Sequence, residues 1–147
     1  MRKIKYIAIH CTASSQRWGV KELNEEFRRK GWKNPGYHYV VEAQGVIHQL
    51  AEDCEVTNGV QGYNKETINV AYIGGIDLTG KPKDNRTDAQ KDALRRLLSL
   101  LKRRYPDAVI QGHRDFSPDK NGNGIADPQE WIKACPCFDA KEEYKYL

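Results

Sequence analysis

Short apolar runs alternate with amphipathic stretches along the chain, and each run predicts an element. "IKYIAIH", residues 4 to 10, is rich in β-branched and aromatic side chains and predicts a buried strand ending at His10. "VKELNEEFRRKGW" puts Val20, Leu23 and Phe27 on one stripe, which predicts a helix stopped by Gly31. "NPG" at 34 to 36 turns the chain. "YHYVVEAQGVIHQLA" then predicts a hairpin, with strands over 37 to 42 and 46 to 51 and a turn at Gln44-Gly45. "TINVAYIGG" is a further strand closed by paired glycines. The clearest helix is "TDAQKDALRRLLSLLKRRY", where Thr87 and Gln90 form a capping box and Leu94, Leu97, Leu98, Leu101 and Tyr105 follow the i, i+3, i+4 pattern. "DAVIQGH" predicts a strand ending at His113, and "FDAKEEYKYL" a short terminal helix. No repeat, linker or low-complexity tract interrupts the series. The sum is an α/β fold, a single domain with a central mixed sheet of about five strands flanked by helices.

Composition changes this picture little. The 147 residues suit one domain with a proper core, and 39% apolar with 30% charged residues is ordinary globular usage. The net charge of +4 is mild. It would help at an anionic polymer such as a bacterial wall, but with no aromatic-basic platform a nucleic-acid binder ranks last. The Lys and Arg residues between 95 and 104 read as a solvated helix face. The apolar run from Tyr6 to Ile9 is too short for a signal peptide, and no stretch approaches a membrane span. Cys11, Cys54, Cys135 and Cys137 show no disulfide-framework spacing, so they read as reduced thiols made in a cytoplasm.

Candidate chemistry gathers at strand ends. Two apolar strands each finish on a histidine, His10 and His113. If the strands are neighbours, both imidazoles lie at one edge of the sheet. The segment "IKACPCFD", 132 to 139, offers two thiols separated by one proline. They stand too close for an easy disulfide and one residue short of the C-x-x-C pattern. One of these thiolates with the two histidines would make a tetrahedral zinc site with an open fourth position. Zinc there would lower the pKa of a water and polarise a carbonyl. The plainer reading is that the histidines end strands and the cysteines pack as small apolar groups.

The blocks "IHCTAS", "GW…GYHYVV", "GYNKETINVAYIGGID", "TDAQ…LRRLL", "GHRD" and "KACPCFD" together resemble the zinc-dependent N-acetylmuramoyl-L-alanine amidases of the phage-lysozyme type, relatives of the peptidoglycan recognition proteins. The blocks stand in the family's order and cover nearly the whole chain. The resemblance implies that fold, and a zinc ion held by His10, His113 and Cys135, the cysteine before the proline. It implies that Tyr37 and Lys133 line the site, where a phenol and an ammonium would stabilise the oxyanion formed on attack at an amide. Otherwise Tyr37 is a half-buried strand aromatic and Lys133 a solvated charge. His38 follows Tyr37, so strand alternation sends it to the opposite face and makes it structural. His48 reads as packed or exposed. Asp139 would either hydrogen-bond a ligand histidine or cap the last helix. Asn64 and the Gly74-Gly75 pair read as loop residues that form the groove.

Between His113 and Lys133 lies an insertion, 117 to 131, where compact phage members of the family have a shorter connection. Its "DKNGNGIADPQE" matches the calcium-loop pattern D-x-[DN]-x-[DN]-G-x5-E through Asp119, Asn121, Asn123, Gly124 and Glu130, with Asp127 at the ninth position. Pro118 and Pro128 do not fit the helices that flank an EF-hand. A calcium ion (Ca2+) beside the Zn2+ and a glycine-rich turn are the two readings.

The expectation is therefore a zinc hydrolase of the amide between N-acetylmuramic acid and L-alanine, acting on peptidoglycan or muropeptide. It is expected as a monomer that neither enters a membrane nor binds nucleic acid. The other class is a non-catalytic peptidoglycan-binding module; in the family, binding-only members lack the cysteine, and "KACP" keeps it. Synthesis in the cytoplasm without a signal peptide fits a phage endolysin that acts on the cell wall after release. It equally fits a recycler of wall fragments or an exported effector.

Overall fold

The apolar runs become strands and the striped segments become helices. In the computed structural model, which describes residues 2–147, the order is β1 (Tyr6–Cys11), α1 (Val20–Arg29), β2 (Tyr39–Val41), β3 (Ile47–Gln49), β4 (Thr67–Tyr72), α2 (Asp88–Arg104), β5 (Val109–Gly112) and α3 (Ala140–Glu143). The strands form one sheet in the order β3-β2-β4-β1-β5. β2, β4, β1 and β5 are parallel, and β3 returns antiparallel to β2. This is the expected five-stranded mixed sheet in a single domain.

The two sheet faces follow the period-2 alternation of the strands. On one face Ile7, Ile9, Ile68, Val70 and Tyr72 pack beneath Leu94, Leu97, Leu98 and Leu101 of α2, with Phe138 and Tyr144 beside them. On the other face a smaller cluster joins Val40 and Ala71 to Leu23 and Phe27 of α1, with Trp32 and Tyr37 partly buried against it. The Thr87 box forms as expected: Gln90 N–H donates to Thr87 Oγ1 and Thr87 N–H to Gln90 Oε1, both at 3.0 Å. Gln90 Nε2 also donates to the carbonyls of Val41 and Ile73, tying the helix start to the sheet. Gly31 follows the end of α1 at φ 74, the left-handed position that favours glycine.

Several boundaries differ from the expectation. β1 starts at Tyr6 and runs one residue past His10, to Cys11. The hairpin strands are three residues each, because the turn takes more chain: Glu42 N–H donates to Val46 O, and Gly45 N–H to Glu42 O. β5 stops at Gly112, and His113 opens a 3-10 turn over His113–Phe116 instead of ending the strand. The cause is local. Asp115 Oδ2 accepts the Gly112 N–H at 2.8 Å, and the Arg114 N–H donates to Cys135 O at 2.8 Å. The chain leaves the sheet to meet the "ACPC" segment.

Among the described residues no helix is long and apolar enough to cross a membrane.

Candidate metal centre and its groove

His10 lies in β1, and His113 directly follows the end of its parallel neighbour β5. The register pairs Ile9 with Gly112, so both histidines stand one step beyond that pair. Their rings lie 4.9 Å apart, nearly edge to face. Cys135 arrives on the loop before α3. That loop is tied down at four points: Arg114 N–H to Cys135 O at 2.8 Å, Cys137 N–H to Ala134 O at 2.8 Å, Tyr72 O–H to Pro136 O at 2.7 Å, and Cys11 N–H to Cys135 Sγ at 3.2 Å. Gly112 makes room for it, since a Cβ there would stand 2.6 Å from Pro136 Cδ.

One donor atom from each of His10, His113 and Cys135 lies within 4.8 Å of the others, and His10 Nδ1 is 3.8 Å from Cys135 Sγ. Tetrahedral zinc with nitrogen and sulfur ligands separates its donors by roughly 3.4–3.8 Å, so these residues fit that ion with small side-chain shifts. No second group of three His, Cys, Asp or Glu side chains converges this closely among the described residues.

Electrostatics favour neutral imidazoles. Burial pushes the His10 pKa down to about 4, opposed by its hydrogen bond to Asn69 and helped by the charge of Lys133. Burial, His10 and Lys133 together push His113 down to about 3. Both rings are therefore unprotonated at neutral pH, the form that binds metal.

Tyr37 stands against this group. Its ring centroid is 5.2 Å from that of His10, and its hydroxyl donates to Cys11 O at 3.5 Å. Burial raises the Tyr37 pKa, so the phenol stays protonated and able to donate. Lys133 is exposed on the rim. Both line a groove of about 510 Å³ together with His10, His113 and Cys135. Phe27, Trp32, Tyr63 and Phe116 give the groove aromatic walls; among the described residues Lys30 and Lys133 are its charged groups, and no carboxylate lines it.

Other expected residues fall elsewhere. Cys137 points away from the group: its Sγ lies 3.9 Å from Cys11 Sγ and donates to Gly75 O. Asp139 caps α3 by accepting the Glu142 N–H at 3.2 Å. The hydrogen-bond partner of His10 is instead Asn69, whose Oδ1 is 2.9 Å from His10 Nε2. His38 is buried, but not on the opposite face from Tyr37: it precedes β2, accepts the Asn69 N–H at Nδ1 and contacts Thr57, which bonds the Asn69 amide, because the strand alternation does not start until Tyr39. His48 pairs with Glu42 at 3.1 Å. Asn64 lies beside Asn69, and Gly74-Gly75 pack against Asn85 and Cys11; neither lines the groove.

Asp119, Asn121, Asn123, Asp127 and Glu130 lie in a loop closed at its base by Ile132 N–H donating to Ser117 Oγ. Asp119 accepts the N–H groups of Gly122 and Gly124. Glu130 accepts those of Lys120, Asn121 and Asp127. Asp127 Oδ2 accepts from the side chains of Asn121 and Asn123. With these oxygens engaged and no three-acid group gathered, the bonds fit the glycine-rich turn, and calcium gains no support from them.

Sequence reasoning missed Asn69. A signal was present: a polar residue inside the apolar strand "TINVAYIGG" must find a buried partner.

Comparison with known proteins follows the same line. The model of a family described as N-acetylmuramoyl-L-alanine amidase matches residues 1–130. The endolysin of Klebsiella phage KP32 is 36% identical over 137 residues, covering 92% of this chain and 82% of that protein. Among solved structures, the N-acetylmuramoyl-L-alanine amidase LysC from Clostridium intestinale URNW superposes with a TM-score of 0.73 at 18% identity, over 97% of this chain and 82% of that one. The Ph2119 endolysin from Thermus scotoductus MAT2119 bacteriophage Ph2119 superposes with a TM-score of 0.71 at 22% identity, over 92% and 79%.

Proposed function

Because the chain belongs to the N-acetylmuramoyl-L-alanine amidase family and is an amide hydrolase of peptidoglycan, we propose that it works through zinc held by His10, His113 and Cys135. The supporting observation is the convergence of two neutral imidazoles and one sulfur within 4.8 Å at the floor of a groove. Zinc, when bound, supplies a Lewis acid that polarises the scissile carbonyl and acidifies water.

The protein's own groups do the rest. The substrate is the amide between N-acetylmuramic acid and L-alanine, in intact peptidoglycan or in muropeptide. The aromatic walls suit the apolar faces of sugar and peptide, and Lys30 and Lys133 suit an anionic stem peptide. When water adds to the carbonyl, negative charge develops on oxygen. The protonated Tyr37 hydroxyl and the Lys133 ammonium meet that charge. With no carboxylate in the lining among the described residues, no Asp or Glu of these is in place as general base. Cys11 N–H keeps the Cys135 sulfur aimed into the site. Residues 1–147 form one such catalytic domain, with 117 to 131 an excursion that ends at the groove rim, and the cell wall is its place of action. A binding-only module is the weaker reading, because Cys135 is retained.

The test is Cys135→Ser. The variant should lose zinc uptake and peptide release while keeping its far-UV spectrum and its binding to purified peptidoglycan. Release at the wild-type rate would overturn the assignment.

A further inference from the structure

The face of β1 and β4 that carries His10 also carries a buried polar chain beneath the groove. Asn69 stands opposite Ala8 in the parallel register, two pairs before His10 and on the same face. The small Ala8 leaves space, and the Asn69 side chain reaches diagonally to the ring. His10 and Thr57 are buried with it. Gly59 is part of the same fit: a Cβ there would stand 2.2 Å from Asn69 Cγ, so a side chain at 59 would displace the amide.

The hydrogen bonds fix which way the Asn69 amide points. The Val60 backbone N–H, an unambiguous donor, reaches Asn64 Oδ1 at 2.7 Å. That atom is therefore an oxygen. The Asn69 NH2 group faces that oxygen at 3.4 Å and donates to Thr57 Oγ1 at 2.8 Å. Asn69 Oδ1 is left facing His10 Nε2 at 2.9 Å. An oxygen acceptor there requires Nε2 to carry the hydrogen. His10 Nδ1 then holds the free lone pair, on the side of Cys135 Sγ at 3.8 Å.

We infer that Asn69 is a positioning residue that locks His10 in the Nε2–H tautomer and so presents Nδ1 to the metal. The inference rests on the zinc reading above and adds to it the residue that prepares one ligand before the ion arrives. A metal-ligating histidine needs its other nitrogen held, and losing such a partner typically lowers metal affinity about 10- to 100-fold.

The first measurement is made on metal-free wild-type protein. Long-range 1H–15N correlation spectra should show His10 protonated at Nε2; a ring protonated at Nδ1 would overturn the inference. Zinc affinity is then measured by competition with a chromophoric chelator. Asn69→Ala should release the ring to a mixture of tautomers and weaken zinc about 10- to 100-fold. Asn69→Asp keeps an acceptor facing His10 and should recover most of that loss. Should Asn69→Ala fail to fold, Thr57→Val removes the group that orients the amide and should give a smaller loss in the same direction. Unchanged affinity in the folded variants, with zinc still bound by wild type, would defeat the inference and leave the metal reading intact. Wild-type protein that takes up no zinc would defeat both.

Discussion

The two faces of the sheet are built on different terms. Beneath α2, strands and helix meet through a dry cluster of leucine, isoleucine, valine and aromatic side chains. On the α1 face the apolar cluster is smaller, and β1, β4 and the segment before β2 bury His10, Asn69 and His38. The first face gains from every buried methylene. The second carries polar groups that cost free energy unless each finds a partner, and nearly all of their atoms have one. The contrast teaches where a substitution should cost fold and where it should cost activity.

Cys135→Ser gives the largest separation. Peptide release should fall to background, while the urea midpoint of the metal-free variant stays close to that of metal-free wild type. Leu98→Ala, on the opposite face, should do the reverse. Leu98 is fully buried, and its truncation should cost about 2–5 kcal/mol in urea unfolding, with activity per folded molecule kept. If Leu98→Ala abolished activity while folded, or Cys135→Ser unfolded the chain, the division between faces would be wrong. Tyr37→Phe comes next. Removing one donor to the oxyanion should lower kcat by about 100-fold with little change in KM.

The effect of pH is smaller. In the metal-free protein His10 and His113 have folded pKa values below the ordinary 6.5, about 4 for His10 and about 3 for His113. The unfolded chain takes up these protons first. Their contribution is therefore fully present above pH 6.5 and is lost as pH falls towards the folded values. Urea midpoints of metal-free wild type should decline from pH 7 to pH 5, and His113→Gln should flatten part of that decline. A slope unchanged by His113→Gln would contradict the account. The smallest effect is expected at Thr87→Ala, which removes the α2 cap for about 1 kcal/mol. A thermal shift of roughly 2–4 °C would measure it.

The same contrast explains what could be read from the sequence. α2 is legible because its core face obeys one rule, the leucine stripe, and its start carries a capping box that the structure reproduces. The strands of the sheet are legible as apolar runs. Their ends are less so, because they depend on bonds from far along the chain: Asp115 and Cys135 pull His113 out of β5, and no local pattern announces that. The residues that converge came largely from resemblance, since His10 lies more than a hundred positions before His113 and Cys135; the sheet register brings the two histidines together and loop hydrogen bonds bring Cys135 to them. Asp139 shows the limit of that kind of reasoning. A carboxylate two residues after Cys137 is a natural partner for a histidine, yet the start of α3 claims it through the Glu142 N–H, and His10 bonds to the strand residue Asn69 instead.

The most direct measurement is metal content against activity in untagged protein. Purified chain should carry about one zinc ion, release L-alanine-ended peptides from peptidoglycan, stop when the ion is removed by a chelator, and resume when zinc is restored. Undiminished release from protein stripped of all metal would contradict the account, because the convergence of His10, His113 and Cys135 would then have no part in the reaction.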